Sequence, residues 1–170
     1  MNLQADDFAL LGLPRQHSLE RSALEQRWKA LQREAHPDRF AAQGAAAQRL
    51  AMQWSVRINE AYQRLKDPLR RAAYLCELAG VPVQAHTNTS MPAEFLLQQM
   101  AWREALDDAP DAAALEQLLS EVRAQQAGML ERCAQKLDAN DAAAAVADVR
   151  ALMFIEKFAL DLRRRMEQLD

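Results

Sequence analysis

The segment Arg33-Glu34-Ala35-His36-Pro37-Asp38-Arg39-Phe40, "REAHPDRF", decides how the first half of the chain is read. Pro37 disfavours helical backbone at His36, so a helix that begins near Ser18 stops at about Ala35. Reading backward, Leu24, Trp28, Leu31 and Ala35 recur at i, i+4, i+7 and i+11, one apolar stripe. Ser22, Gln26, Lys29 and Arg33 fall on the opposite face, and Ser18 is placed to cap the helix start. Earlier still, "DDFALLGLP" predicts a short helical turn ended by Gly12 and Pro14. Reading forward, a third helix is predicted from about Ala41 to Lys66, with Leu50, Trp54, Ile58, Ala61 and Leu65 as its core stripe. The run "AAQGAAAQ" reads as its exposed first turns, frayed around Gly44.

The remainder is helical as well. Pro68 restarts a helix that Gly80 closes, and "GVPVQAHTNTSMP", Gly80 to Pro92, is the clearest boundary, with two prolines and little charge. Three helical segments follow, at about Pro92–Asp107, Asp111–Leu137 and Asp141–Leu169, with Asp111 and Asp141 placed as N-caps. Val149, Leu152, Ile155, Ala159, Leu162, Met166 and Leu169 make a near-heptad seam in the last. Short connections between long helices imply antiparallel neighbours, so the expected architecture is all-α, in two lobes.

Composition narrows the function classes. The chain has 170 residues, enough for one domain or two small ones. Hydrophobic residues are 50% and charged residues 26%, which fits a folded chain and not a disordered one. A formal charge of -3 gives no basic field, so nucleic acid is a poor candidate partner. Cys76 and Cys133 lie too far apart for a CxxC metal site and sit among apolar residues, as buried inert thiols would. No basic-then-apolar leader is visible in "MNLQADDF", and no apolar run reaches the ~18 residues of a membrane span. A cytoplasmic location is expected.

The tripeptide His36-Pro37-Asp38 admits three chemical readings. It is a helix-ending turn with incidental polar residues, or a metal or general-base site, or a docking loop that offers a carboxylate to a partner's donors. The second needs further ligands, and the other histidines, His17 and His86, lie in different loops. A short helix, a helix with a partly basic outer face, HPD, then a longer antiparallel helix resembles the layout of a J domain over residues 6 to about 75. That resemblance implies that the loop docks on a DnaK-class chaperone ATPase and stimulates ATP hydrolysis, with His36, Pro37 and Asp38 carried over directly. It also implies a steering role for Lys29 and Arg33 through a positive field that Glu25 and Glu34 dilute, beside the plainer reading of a merely solvated face. Arg39 fits the basic residue common after HPD.

"HPDRF" followed by "INEAYQRLKDPLRRAAYL" and a separate three-helix lobe is similar to HscB-type J proteins, co-chaperones of iron–sulfur cluster assembly. Phe40, Ile58, Asn59, Ala61, Pro68, Arg71, Ala72 and Tyr74 match, and the likeness covers nearly the whole chain. It implies a J domain at 1–75, a connecting helix end and linker at 76–92, and a scaffold-binding three-helix bundle at 93–170. An L-shaped pair of lobes is implied, with Leu65, Leu69, Tyr74 and Leu75 packing helix three onto the connecting helix. The Gly/Phe-rich and zinc regions of general J proteins are absent, as is the tetracysteine module of some eukaryotic relatives. No metal and no cofactor is expected.

A second feature stands apart from that likeness. In "EFLLQQMAWREALDD", Phe95, Trp102 and Leu106 form a sufficient core stripe, while Leu96, Leu97 and Met100 fall on another side beside Glu104 and Asp108. Either the lobe covers this helix on two sides, or the residues form an exposed apolar patch with an acidic rim. Phe154, about 100° round from Ile155, extends the patch or edges the core. The HscB likeness implies that this face binds an IscU-type scaffold through Leu96, Leu97, Met100, Glu104, Asp108 and Phe154. Ala101 departs from it, standing where relatives often carry an acidic residue. The expectation is a monomeric adaptor without an active site, joining an IscU-type scaffold to an HscA/DnaK-class ATPase. A J protein for another client, or a metal-dependent enzyme using His36 and Asp38, are the alternatives.

Overall fold

The computed structural model describes residues 2–85 and 87–169, so His86 lies outside the described residues. Among these the chain is all-helical, with α1 Asp7–Leu11, α2 Arg21–Glu34, α3 Ala45–Lys66, α4 Pro68–Leu78, α5 Ala93–Asp108, α6 Ala112–Asp138 and α7 Ala142–Gln168. Two compact units result, Met1–Leu75 and Cys76–Asp170.

In the first unit the short α1 is held at both ends. The Asp6 carboxylate accepts from the Ala9 N–H at 3.0 Å, and Gly12 closes the helix at φ +67°. A Cβ on Gly12 would also come within 2.9 Å of the Arg27 guanidinium, whose Nε donates to the Leu11 carbonyl at 2.8 Å. Glycine takes the positive φ without strain, and a larger residue would also displace the Arg27 guanidinium from its bond. Helix α2 begins later than expected. Glu20, extended at φ -73° and ψ 119°, precedes its first turn without a side-chain cap, so Ser18 lies too early to cap it.

Helices α2 and α3 pair antiparallel. Leu24, Leu31 and Ala35 are buried on one side and Ile58, Ala61 and Leu65 on the other, and Trp28 stacks on Tyr62 at 4.2 Å. Ser55 sets the register: its carbonyl accepts from Gln32 Nε2 at 3.1 Å, and its Oγ donates to the Ala35 carbonyl at 3.2 Å. Helix α3 does not start at Ala41. Pro37–Gln43 forms a 3-10 turn, and Gly44, at φ +97° and ψ 170°, breaks it from α3 in a conformation nearly restricted to glycine. Since Ala35 is level with Ser55, residues 45–54 overhang the end of α2 by about 15 Å. Leu50, expected in the core, is therefore half exposed, and Trp54 is only partly buried.

Tyr74 closes the unit against α1. Its hydroxyl accepts from the Asp7 N–H at 2.9 Å, its ring stacks on Phe8 at 5.9 Å, and the Arg64 guanidinium lies 4.5 Å from the ring centroid. The buried Asp7 carboxylate pairs with Arg57 at 2.8 Å and Arg64 at 3.4 Å. These are charge pairings without good hydrogen-bond alignment. Helix packing here is thus three-cornered, with Tyr74 serving α1 as much as α3. At the α3–α4 break the Asp67 carboxylate accepts from the Leu69 N–H at 2.9 Å, and Pro68 takes the first helical position, where its missing N–H costs nothing.

The second unit is built on α7. Val149, Leu152, Ile155, Ala159 and Leu162 are fully buried, as the seam requires. Met166 is partly exposed and Leu169 is 48% exposed, one residue past the helix end, so the seam stops at Leu162. Asp111 and Asp141 cap α6 and α7, accepting from Ala114 N–H at 2.9 Å and Ala144 N–H at 3.1 Å. The segment between Gly80 and Pro92 belongs to this unit. Val83 is buried, and the buried Arg150 donates through Nε to the Val83 carbonyl at 2.9 Å and through Nη1 to the Ser90 carbonyl at 3.2 Å.

Both thiols are fully buried, Cys133 donating weakly to the Ala145 carbonyl. Burial pushes Cys76 up to about 11 and Cys133 up to about 12. Their neutral forms support the fold fully below the unfolded value of roughly 8.5, and that support is lost as pH rises through the folded values. Iodoacetamide at pH 8 should leave both cysteines unmodified in the native protein and label both in denaturant, as read by intact mass. Arg150→Met should lower unfolding free energy by about 2 kcal/mol, measured by denaturant titration, because two charge-assisted bonds to carbonyls disappear.

Candidate partner-binding surfaces

The loop after α2 is shaped by its own backbone. Pro37 opens the 3-10 turn, the Arg39 N–H donates to the His36 carbonyl at 3.0 Å, and the Asp38 N–H donates to His36 Nδ1 at 3.2 Å. With Nδ1 accepting, the neutral imidazole carries its proton on Nε2, which remains a donor for another molecule. The Asp38 carboxylate is 91% exposed and lies 3.7 Å from Nδ1, too far for a hydrogen bond and too wet for a strong ion pair. The fold uses the loop's backbone and His36 Nδ1, and leaves the Asp38 carboxylate and much of the imidazole to solvent.

Around it, Lys29 and Arg33 are exposed on the outer face of α2, together with Ser22 and Gln26. Arg39 is exposed as well, its Nη1 reaching the Arg33 carbonyl at 3.4 Å, a contact at the margin of hydrogen bonding. His36, Pro37, Asp38, Arg33 and Arg39 are thus neighbours at one end of α2, with Lys29 one turn back. His17 does not join them: it is buried and its Nε2 donates to the Pro68 carbonyl at 2.9 Å. Among the described residues no group of three or more His, Cys, Asp or Glu converges to hold a metal ion.

The second surface lies on α5. Phe95, Trp102 and Leu106 are buried, whereas Leu96 is 47%, Leu97 72% and Met100 68% exposed. Helix α5 thus packs through one stripe only. Ala101, Glu104 and Asp108 are exposed too, giving an apolar strip with two carboxylates toward the helix C-terminus. Phe154 on α7 is half-buried. It packs edge-on to Phe95 at 5.8 Å and stacks on Phe158 at 6.3 Å, so it closes the aromatic cluster with Trp102 rather than standing free.

Comparison with known proteins decides what such a chain is. Residues 91–163 match the family model described as the HSCB C-terminal oligomerisation domain. The chain is 46% identical to the "Co-chaperone protein HscB homolog" of Burkholderia multivorans over 173 aligned positions, covering 100% of this chain and 99% of that one. The chain belongs to the HscB co-chaperone family. Its structure is similar to the chaperone HscB from Vibrio cholerae, with a TM-score of 0.81, 37% identity, and coverage of 98% of this chain and 100% of that one. The crystal structure of human co-chaperone protein HscB gives a TM-score of 0.87 at 25% identity, covering 96% of this chain and 83% of that one. The all-α arrangement of a J domain followed by a C-terminal helical domain is that of the HscB family.

Sequence periodicity misses two features of the structure. Leu50 continues the α3 stripe and so reads as core, yet nothing in that pattern says where α2 ends beside it. Arg150 carries no periodic signal: it is a buried arginine among the apolar residues of α7, next to the seam residue Val149. The separation of core from surface on α5 has a direct consequence. Leu97→Ala and Met100→Ala should change unfolding free energy by less than about 0.5 kcal/mol. Phe95→Ala should lower it by about 3–5 kcal/mol. Denaturant titration of the three variants checks this.

Proposed function

We propose that this HscB-family protein carries an IscU-type iron–sulfur scaffold to an HscA/DnaK-class chaperone and stimulates that chaperone's ATP hydrolysis, in the bacterial cytoplasm. The observation that carries the proposal is an HPD turn at the end of α2 with His36 and Asp38 exposed and the Asp38 carboxylate left without a close partner. His36 Nε2 and the Asp38 carboxylate are a donor and an acceptor held in one rigid turn, suited to fixing the orientation of a partner. Lys29, Arg33 and Arg39 supply the positive charge that speeds encounter with an acidic surface. The protein has no catalytic group of its own in this account, and the hydrolytic chemistry belongs to the ATPase.

The scaffold is assigned to Leu96, Leu97 and Met100, with Glu104 and Asp108 as the polar rim and Phe154 as a stacked edge. Apolar anchors inside a polar rim are the usual source of binding energy at such interfaces. Tethering both partners to one chain raises the concentration of scaffold at the chaperone without further contacts. A second reading is favoured by the family model's description, which names oligomerisation: the same strip covers a second copy of this chain.

The test is the steady-state ATPase rate of the cognate DnaK-class chaperone with wild type, His36→Gln and Leu96→Ala, each with and without scaffold. The expected result is stimulation by wild type, none by His36→Gln, and loss of only the scaffold-dependent part with Leu96→Ala. Leu96→Ala should weaken scaffold binding about 10-fold, read by calorimetry. Full stimulation by His36→Gln would refute the docking role of the loop. Unchanged scaffold affinity in Leu96→Ala, with light scattering showing a wild-type dimer and a monomeric variant, would transfer the strip to self-association.

A further inference from the structure

The overhang of α3 leaves an apolar slot beside the HPD loop that neither the fold nor the proposed loop contacts use. It is a cavity of about 260 Å³ lined by Ala35, Phe40, Ala47, Leu50, Ala51 and Trp54. Its walls are the end of α2, the 3-10 turn and the first three turns of α3. Glu34, exposed on α2, is the charged residue in the lining. Leu50 stands half exposed at this site, a large aliphatic side chain for which the antiparallel pairing supplies no partner. Apolar surface of this kind, gathered in a concavity, usually awaits another molecule.

Size and position together select the occupant. The volume lies just under the roughly 300 Å³ at which sites for free small molecules begin, so an inserted side chain fits better than a ligand. Ala35 is joined directly to His36, and Phe40 comes two residues after Asp38. A stable interface covers about 800 Å² on each partner, far more than one tripeptide offers. A body seated on His36, Pro37 and Asp38 therefore extends beyond them, and the slot, lined by Ala35 and Phe40 on either flank of the turn, lies within its reach.

We propose that the slot receives an aliphatic side chain of the same DnaK-class ATPase that docks on the HPD loop, an inference that rests on the docking role proposed above. The loop then orients the partner through polar contacts, and the slot supplies an apolar anchor that prolongs the complex. The division predicts different kinetic signatures. Loss of the loop removes stimulation; loss of the slot raises the concentration needed for it.

The experiment is a titration of the purified DnaK-class ATPase with the full-length protein, reading ATP turnover against protein concentration. Four proteins are compared: wild type, His36→Gln, Leu50→Gln and Ala47→Phe. Leu50→Gln makes the slot polar at an exposed position, and Ala47→Phe fills it from α3, so the two act by different chemistry. Far-ultraviolet circular dichroism establishes that each variant is folded. The expected result is a half-saturating concentration about 10-fold higher for both slot variants, with the wild-type plateau retained, and no stimulation by His36→Gln. Unchanged half-saturation in both slot variants, with His36→Gln inactive, would overturn the slot while leaving the loop's role intact. Wild-type stimulation by His36→Gln would overturn the docking role and the slot with it. A wild-type dimer that Leu50→Gln converts to monomer in light scattering, without effect on the titration, would assign the slot to a second copy of this chain.

Discussion

The register between α2 and α3 is the constraint on which the first unit depends. Ser55 fixes it from both sides, accepting from Gln32 and donating to the last carbonyl turn of α2 at Ala35. Every buried pair across the hairpin follows from that alignment, including the Trp28–Tyr62 stack and the closure of Leu24 and Leu31 on Ile58 and Leu65. The alignment also decides what is left over. Because Pro37 stops α2 while α3 continues past it, the His36-Pro37-Asp38 turn lies where α2 ends, with Pro37 partly buried and His36 and Asp38 exposed. A shift by one helical turn would bury the loop or strand it on a frayed end.

Rigidity around an exposed loop is a useful combination. The turn's own hydrogen bonds, Asp38 N–H to His36 Nδ1 and Arg39 N–H to the His36 carbonyl, hold the backbone while consuming only one ring nitrogen and leaving the Asp38 carboxylate exposed. Less conformational entropy is then lost when a partner binds. The α5 strip follows the same logic by a different route. Its helix is anchored by the edge-on and stacked contacts among Phe95, Trp102, Phe154 and Phe158, so the other face is free to carry Leu96, Leu97 and Met100 into solvent.

Much of this was readable in the residues, and the failures share a cause. Helical periodicity found the stripes of α2, α5 and α7, and cap chemistry found Gly12, Asp111 and Asp141, because both are local properties of the chain. What lies opposite a residue is not local. Leu50 obeys the α3 pattern but faces the space beyond the end of α2, and Leu169 obeys the α7 seam one residue past its helix. Ser18 has the chemistry of a cap, yet the chain enters α2 two residues later through an extended Glu20. Tyr74, placed against helix three by its spacing, also meets Phe8 and Asp7 across 66 and more residues of chain, a contact no window can contain. The α5 strip is legible for the opposite reason: its residues are positions that the packing pattern does not require, and exposure is what such positions should have. The HPD turn is legible through its resemblance to a family, since the tripeptide alone reads equally as a helix-ending turn.

That distinction bears on how the two surfaces coexist with a stable protein. The side chains at issue contribute little to either core: His36 and Asp38 are exposed, and Leu97 and Met100 stand clear of the stripe that holds α5. Substitutions there therefore act on binding with the folding free energy nearly unchanged, and substitutions in the two surfaces should combine additively, since they lie in separate compact units. The cost falls elsewhere. Exposed leucines and a methionine invite unspecific association, and Glu104 and Asp108 on the same helix oppose it by keeping like charges beside the apolar strip.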